Sequence, residues 1–257
     1  MSLIAADIHV SLGRKPILHG VSITARAGEI TAIVGPNGSG KTTLLRSLTG
    51  ELPCRGRITL NGQDMARMTP EELARRRGVL PQAAALSFPF TVAEVVRIGI
   101  EARGEHADAL VPRALAAVDL AGFSGRLYQE LSGGEQQRVQ LARVLAQVWQ
   151  PLEADGPRWL MLDEPVSSLD IAHQLTVMRL AAGYAQAGGG VVAVMHDLNL
   201  TALFAQNLVL MKGGRVLCQG RPEEVLTDEA LSHAYGCSLR VNAVPEAGVW
   251  VLPHAAA

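Results

Sequence analysis

Aromatic side chains are scarce in this sequence. Only 4% of its 257 residues are Phe, Trp or Tyr, so the stacking surfaces on which single-stranded nucleic acids bind are hard to build. An excess of one charge is also lacking, because 23 Lys and Arg stand against 24 Asp and Glu. Neither property indicates an anionic partner surface, and we expect no nucleic-acid partner.

Cysteines are few and long apolar runs are absent. Cys54, Cys218 and Cys237 stand far apart, which excludes CxxC or metal-site spacing and favours a reduced, cytosolic compartment. No apolar run approaches the roughly 18 to 20 residues that span a bilayer, and residues 1–4 lack the features of a signal peptide. We therefore expect a soluble protein that reaches a membrane only through a partner.

A glycine-rich stretch at residues 35–42 is the strongest motif present. It reads GPNGSGKT and fits G-x-x-x-x-G-K-[ST], in which backbone N–H groups at a helix start cradle phosphates. Residues 30–34 predict the buried strand and residues 43–48 the helix that this motif requires. Lys41 would contact the β- and γ-phosphates and the Thr42 hydroxyl would ligate Mg²⁺. The alternative is a glycine turn with an incidental Lys-Thr. The predicted phosphate-binding residues are Gly35, Pro36, Asn37, Gly38, Ser39, Gly40, Lys41, Thr42 and Thr43.

Two acids follow an apolar strand predicted at residues 159–162. Asp163 at the strand tip would hold Mg²⁺ through water, and Glu164 beside it would polarise an attacking water. The alternative is an ordinary polar cap at a strand end. Because a phosphate-binding loop precedes these acids in the chain, we favour the metal and water roles.

The rest of the pattern alternates strands and helices around one helical block at residues 91–149. Capping boxes predict helix starts at Thr69 and Thr91, and residues 151–158 predict a surface loop. The other predicted strands are residues 5–9, 21–25, 56–60, 78–80, 191–195, the hairpin 208–211 with 215–218, and a weak pair at 239–244 and 249–252. The other predicted helices are residues 171–187, 222–226 and 228–235.

Residues 131–138, LSGGEQQR, combine a helix cap with two glycines that expose backbone N–H groups. Ser132 and Glu135 also fit a plain capping box. This string resembles the signature sequence of ABC (ATP-binding cassette) ATPases, and the order of motifs along nearly the whole chain matches that family.

The resemblance implies an α/β fold. The expected architecture is a P-loop NTPase core of the RecA-like type with a mostly parallel sheet, an N-terminal antiparallel β subdomain and an inserted α-helical subdomain. It implies a single ABC ATPase domain over residues 1–257. Residues 1–82 and 159–257 would form the core and β subdomain, and residues 83–158 the helical subdomain that carries the signature.

The family's functional residues map onto matching positions. Gln82 resembles the glutamine that contacts Mg²⁺, water and the membrane partner, and Asp163 resembles the Walker B carboxylate. Glu164 resembles the catalytic base, and His196 the histidine that contacts the γ-phosphate. Asp170 lies in the segment that resembles the D-loop. The expected catalytic residues are Glu164, His196, Lys41 and Gln82, and the expected metal contacts are Thr42, Gln82 and Asp163.

The signature residues imply a second copy of the chain. Ser132, Gly133 and Gly134 resemble residues that bind the γ-phosphate of a nucleotide held by the other subunit. ATP and Mg²⁺ are therefore the expected cofactors, and a homodimer is the expected working form.

One cassette without a coiled-coil insertion or basic arm favours a transporter subunit. Residues 86–96, 142–149 and 169–174 resemble the corresponding stretches of bacterial haem importers. The last of these also recurs in siderophore and cobalamin importers and so indicates metal-chelate import in general, and the segment between Trp149 and Trp159 favours haem. We expect an ATPase on the cytoplasmic face of the bacterial inner membrane, bound to a permease dimer and through it to a periplasmic haem-binding protein. The alternatives are a siderophore or cobalamin importer, or a soluble ABC ATPase such as an iron–sulfur assembly factor.

Three positions need separate interpretation. Leu12 stands where the family usually has an aromatic residue that stacks on adenine, so the base contact stays open. His173 invites a role as haem ligand, which we reject because it follows the D-loop on the ATPase subunit. Phe88 and Phe90 are either an exposed surface for a partner or local core packing.

Overall fold

The structure, a computed structural model, describes residues 1–82, 88–100, 107–244, 247–249 and 251. The strands are β1 (Ser2–Leu12), β2 (Lys15–Arg26), β3 (Ile30–Val34), β4 (Arg55–Leu60), β5 (Gln63–Asp64), β6 (Arg77–Leu80), β7 (Leu152–Glu153), β8 (Gly156–Pro157), β9 (Trp159–Asp163), β10 (Gly190–Val194), β11 (Asn207–Lys212) and β12 (Arg215–Gly220). The α-helices are α1 (Lys41–Leu48), α2 (Pro70–Arg76), α3 (Val92–Ile100), α4 (Ala107–Ala117), α5 (Gly133–Gln147), α6 (Ile171–Gln186), α7 (Leu198–Phe204), α8 (Pro222–Val225) and α9 (Asp228–Tyr235).

A six-stranded sheet in the order β12-β11-β3-β10-β9-β6 forms the centre of the molecule. All its neighbouring pairs are parallel except β11 with β12. The carboxyl ends of β3, β6, β9 and β10 therefore meet at one edge, the edge at which α/β sheets bind ligands.

Both faces of the central strands β3, β9 and β10 are buried, which explains why these strands are nearly continuous apolar runs. In β9, Leu160 and Leu162 pack into a core shared with the helices. Trp159 and Met161 point to the other face, into a core shared with α1 and the antiparallel sheet. Side chains alternate between the faces of a strand, so one apolar run supplies two cores.

The second sheet is antiparallel, in the order β2-β1-β4-β5. Its strands β1 and β2 are longer than the predicted segments and alternate buried with exposed residues. The predicted fold class, a mostly parallel core with an N-terminal antiparallel β subdomain and inserted helices, is confirmed.

The capping boxes that predict helix starts are formed. Thr69 Oγ1 accepts from Glu72 N at 3.2 Å while Glu72 Oε2 accepts from Thr69 N at 2.8 Å. Thr91 and Glu94 exchange the same pair of bonds at the start of α3. The helical block consists of α3, α4 and α5 in the described residues, and the division of the chain at residues 82/83 and 158/159 stays a prediction.

The surface loop predicted at residues 151–158 is only partly right, since residues 151–155 lie at the surface but residues 156–158 are buried. The segment folds into the hairpin β7–β8, and the Arg158 side chain is only 5% exposed. Its guanidinium donates to Glu153 Oε2 and lies equally close, at 2.7 Å, to Asp155 Oδ1. Polarity predicted a loop here, but ion pairing lets the arginine be buried.

The strand pair predicted for the C-terminal tail is also wrong for its first half. Residues 239–244 form no strand, because side chains of the α9 region satisfy their backbone groups. Leu239 N donates to Ser232 Oγ at 2.9 Å, and Val241 N donates to Asp228 Oδ1 at 2.7 Å. Residues 250 and 252 of the second half lie outside the described residues.

Candidate nucleotide-binding site

A cleft of about 700 Å³ opens at the carboxyl edge of the central sheet. It brings together residues that are up to 181 positions apart, from Lys15 to His196. Its lining residues are Lys15, Ile17, Asn37, Gly38, Gly40, Lys41, Thr42, Thr43, Gln82, Glu164 and His196. The predicted P-loop, Gln82, Glu164 and His196 thus meet in one place.

The loop between β3 and α1 can adopt its shape only with glycine at key positions. A Cβ on Gly35, whose φ is +146°, would lie 2.2 Å from the Met211 carbonyl oxygen. Gly40 caps α1 with φ +99° and has no side chain to accept from the first turn. The free N–H groups of that turn and the helix dipole therefore favour an anion.

Ser39 adds a polar group to the same loop. Its side-chain oxygen is buried and has no hydrogen-bond partner within the protein. The Ser39 carbonyl is fixed by Gly214 N at 3.0 Å, in the turn between β11 and β12. An orphaned hydroxyl in a glycine cradle fits a phosphate oxygen as its missing partner.

Lys41 is folded back on the loop. Its Nζ donates to the carbonyl oxygens of Gly35 at 2.8 Å and Pro36 at 3.1 Å. Burial lowers the pKa of the Lys41 ammonium, and the negative charges of Glu164 and Asp163 oppose that shift. The ammonium thus lies between the loop and both carboxylates, where it can neutralise phosphate charge.

Asp163 ends β9 beside the first turn of α1. Its Oδ1 accepts from Thr42 Oγ1 at 3.2 Å. Burial raises the pKa of this carboxyl, the hydrogen bond from Thr42 lowers it, and the Glu164 charge raises it again. A cation held here would remove the desolvation penalty that the carboxylate bears.

Glu164 and His196 meet across two neighbouring strand ends. Asp163 pairs with Val194 in the register of β9 and β10, so Glu164 lies one residue and His196 two residues beyond that pair. His196 Nε2 lies 2.6 Å from Glu164 Oε1, and the Glu164 side chain is only 14% exposed. The backbone of Glu164 has φ +51°, a left-handed conformation that is rare for a residue with a side chain.

The signature residues lie outside this cleft. Ser132 forms a complete capping box, because Glu135 Oε2 accepts from Ser132 N at 2.8 Å and Glu135 N donates to Ser132 Oγ at 3.4 Å. The Ser132 hydrogen bonds lower the pKa of the Glu135 carboxyl. A Cβ on Gly133 would meet open space. Ser132 and Gly133 therefore do not line the cleft of their own chain.

Asp170 is likewise separate from the cleft and caps α6. Its Oδ1 accepts from His173 N at 2.9 Å and lies 2.8 Å from His173 Nδ1. These hydrogen bonds lower the pKa of the Asp170 carboxyl. His173 therefore has a local partner in the helix cap.

Lys15 and Ile17 line the cleft and were missed from the sequence. Leu12, the residue at the usual aromatic position, is 48% exposed and does not line the cleft. The signal was available in the alternation of β2, since residues 15 and 17 share one face of the strand. Ile17 is the apolar side chain that the cleft offers to a base.

Of the two interpretations of Phe88 and Phe90, a partner surface fits Phe88 and core packing fits Phe90. Phe88 is 69% exposed, whereas Phe90 packs against the main core. Their rings meet edge to face, with centroids 6.3 Å apart. Of the two rings, that of Phe88 therefore remains available to a partner.

Comparison with known proteins decides the family. The family model described as ABC transporter matches residues 18–167. The chain belongs to the ABC transporter family. The Hemin import ATP-binding protein HmuV of Roseobacter denitrificans is 63% identical over 258 residues, which cover 100% of this chain and 99% of that protein. HmuV of Jannaschia sp. is 60% identical over 256 residues, covering 99% and 95%.

Solved structures agree with this assignment. The ADP conformation of MJ1267, an ATP-binding cassette of an ABC transporter, superposes with a TM-score of 0.76 at 25% identity, covering 91% of this chain and 98% of that chain. ATP-binding proteins of the ABC family are ATPases, so this chain binds and hydrolyses ATP. Its similarity to import ATP-binding proteins implies a membrane permease as partner. Within its described residues, the cassette has no helix long and apolar enough to cross a bilayer.

Proposed function

We propose that this chain is the ATP-hydrolysing subunit that energises a bacterial importer of haem. The observation that carries the ATPase assignment is the cleft itself, in which the Lys41 loop, the Thr42–Asp163 pair and the Glu164–His196 pair meet. Similarity over the full chain to hemin import proteins at 63% and 60% identity supports haem as the cargo.

ATP would bind with its phosphates in the glycine loop. The first turn of α1, the Ser39 hydroxyl and Lys41 would contact the β- and γ-phosphates. Ile17 would contact the base, because Leu12 does not line the cleft. Thr43 would lie beside the phosphates, and Gln82 would face the attacking water.

The Thr42 and Asp163 oxygens fit Mg²⁺. They are hard oxygen ligands 3.2 Å apart, and no cluster of three or more His, Cys, Asp or Glu suited to a metal occurs in the described part of the chain. A site with so few protein ligands fits a cation that takes its other ligands from phosphate and water. Mg²⁺ bound there would neutralise charge that develops on the phosphates during hydrolysis.

Hydrolysis would proceed by in-line attack of water on the γ-phosphorus. Glu164 would accept a hydrogen bond from the water and orient it, with its carboxylate held by His196. The new P–O bond forms as the bond from the γ-phosphorus to the bridging oxygen breaks, which leaves ADP and phosphate. Lys41 would neutralise the oxygens of the γ-phosphate in the transition state.

The cleft of one chain is half of a working site in this proposal. Ser132, Gly133 and Gly134 lie outside the chain's own cleft, so they would contact a nucleotide held by a second copy. Two chains would enclose two ATP molecules, with Asp170 near the dimer contact. Because ATP favours the closed dimer and ADP does not, closure and opening would drive the permease.

The membrane attachment follows from this assembly. We place the dimer on the cytoplasmic face of the inner membrane, held by a permease dimer that receives haem from a periplasmic binding protein. Residues 83–158 would form the helical subdomain that touches the permease, and Phe88 within this range is the most exposed of its large apolar side chains in the described residues.

Complementation tests the cargo and the ATPase role together. A strain that lacks the ATPases of both its haem importer and its siderophore importer receives the wild-type chain or Lys41→Ala, and its growth is measured with haem or the siderophore as the iron source. The wild type should restore growth on haem only, and Lys41→Ala should restore none. Rescue on the siderophore instead of haem would reject the haem assignment, and haem rescue by Lys41→Ala would reject the P-loop role.

A further inference from the structure

The side chain of Gln137 connects the signature helix to the backbone of Glu164. Gln137 lies on the second turn of α5, and its Nε2 donates to the Glu164 carbonyl oxygen at 3.1 Å. Its other amide atom, Oε1, accepts a hydrogen bond from Ser168 Oγ. Both ends of the half-buried amide are therefore fixed, so its orientation is set by two partners that lie 27 and 31 residues away.

The Glu164 backbone needs such support. Its φ of +51° costs free energy in a residue with a Cβ, and a strained conformation of this kind persists only where its surroundings determine it. Glu164 N donates to Val194 O at 3.2 Å, and the Glu164 carbonyl also accepts from Ser167 N at 3.3 Å and Ser167 Oγ at 3.2 Å. Ser167 is close in sequence, so Gln137 is the contact to this carbonyl that comes from another element.

The turn that begins α5 also packs against the same segment. A Cβ on Gly134 would lie 3.3 Å from the Ser168 carbonyl oxygen and from a Leu169 methyl group. The start of α5 thus contacts residues 164–169 through both backbone and side chain. If the Ser132 end of α5 moved, Gln137 would move with it and would shift the backbone of Glu164.

We propose that Gln137 is a positioning residue for ATP hydrolysis, which holds the backbone of Glu164 so that its carboxylate faces His196 and the cleft, and which transmits movement of the signature helix to that carboxylate. This role rests on the proposed function, in which Glu164 orients the water. Gln137 itself does not line the cleft and would touch neither ATP nor water.

Two substitutions test the hydrogen bond to Glu164. Gln137→Ala removes both amide contacts. Gln137→Glu keeps the length of the side chain and an acceptor for Ser168 Oγ, but a carboxylate cannot donate to the Glu164 carbonyl. Both should lower kcat by at least about tenfold, since a small misplacement of a catalytic group is enough for that. The KM for ATP should stay within about twofold, because the P-loop contacts are unchanged.

Gln147 gives a matched control on the same helix. Its Nε2 donates to the carbonyl oxygens of Ala74 at 2.7 Å and Arg77 at 3.1 Å, so Gln147→Ala removes a helix-to-core contact of the same chemistry without touching Glu164. This control should keep kcat within about twofold of the wild type.

The measurement is steady-state ATP hydrolysis, with the dissociation constant of a fluorescent ATP analogue and the thermal midpoint recorded for every variant. The proposal would be overturned if Gln137→Ala keeps a kcat within twofold of the wild type. Gln137→Glu takes its place in this test if Gln137→Ala does not fold. A loss of kcat in Gln147→Ala as large as that in the Gln137 variants would also overturn it. Glu164→Gln, measured in parallel, distinguishes a failure of the proposed function from a failure of the positioning role of Gln137. If Glu164→Gln hydrolyses ATP normally, the proposed role of Glu164 fails; if it is inactive while Gln137→Glu is normal, only the positioning role fails.

Discussion

His196 Nε2 lies 2.6 Å from Glu164 Oε1 and joins the segments that follow β10 and β9. The two residues are 32 positions apart, and the parallel register of their strands brings them together. The imidazole is 43% exposed and the carboxylate 14%, so a histidine at the edge of the cleft holds a carboxylate inside it. An oriented carboxylate is what in-line attack by water requires.

Replacing His196 should therefore act on the chemical step. We expect His196→Ala to lower kcat by about a hundredfold, the usual size of a lost acid–base or orienting contact, and to change the KM for ATP little. Steady-state ATP hydrolysis measures both. His233→Ala, an exposed histidine on α9, is the control, and an equal loss of kcat there would argue against a specific role of His196.

Ile17 should contribute to the affinity of the cleft for ATP. It lines the cleft and its side chain would lose contact with the base in Ile17→Ala. We expect the KM for ATP to rise about three- to tenfold with kcat nearly constant, because burial of a few methyl groups is at stake. Leu12→Ala should leave the KM unchanged. A larger effect of Leu12→Ala would place the base on the other side of the turn.

Alanine substitutions at two glycines should change the stability in opposite directions. A Cβ on Gly190 would lie 2.3 Å from the Trp159 ring, whereas one on Gly183 in α6 would meet nothing within 4 Å. Gly190→Ala should therefore lower the free energy of unfolding by about 1–3 kcal/mol through overpacking. Gly183→Ala should raise it by about 0.5–1 kcal/mol through helix propensity. Denaturant unfolding checks both, and a stable Gly190→Ala would contradict the packing around Trp159.

The ion pair in the hairpin β7–β8 should make the stability of the fold depend on pH. The hydrogen bond with Arg158 is the main reason why the pKa of Asp155 is lowered. A carboxyl with a lowered folded-state pKa stabilises the fold above its unfolded pKa of about 3.9, and this stability is lost as the pH falls through the folded-state value. Asp155→Asn should thus be less stable than the wild type at pH 7, and the difference should vanish in acid.

The difference in stability between the wild type and Asp155→Asn should be small. Asp155 is 51% exposed, so solvent screens the pair, and added salt should narrow the gap further. Thermal midpoints of the two proteins at neutral and acidic pH, with low and high salt, make the test. A gap that widens as the pH falls would contradict the assignment of the shift to Arg158.

The sequence predicted the parts of the site that are local in the chain. The glycine loop at Gly35, the acids at the tip of β9 and His196 after β10 all follow apolar strands, and parallel strands bring their carboxyl ends together. Capping boxes at Thr69 and Thr91 were visible for the same reason, since their partners lie three residues away.

Contacts that depend on tertiary packing were not predictable in this way. Arg158 is a charged residue in a polar segment, and only its pairing with Glu153 and Asp155 permits its burial. The residues after Gly236 have the alternation of a strand, yet Ser232 and Asp228 satisfy their backbone instead. Gln137 reads as a helix residue, and its contact with Glu164 appears only when α5 and β9 are placed together.

The central claim is that two copies of this chain close around ATP and that Glu164 then drives hydrolysis. The direct measurement is the mass and the ATPase rate of Glu164→Gln in the presence of Mg²⁺ and ATP, beside the wild type. The account predicts a particle of twice the 27.3 kDa chain mass that retains ATP and hydrolyses it at least about a hundredfold more slowly than the wild type. A Glu164→Gln protein that stays monomeric with ATP and hydrolyses it at the wild-type rate would contradict the account.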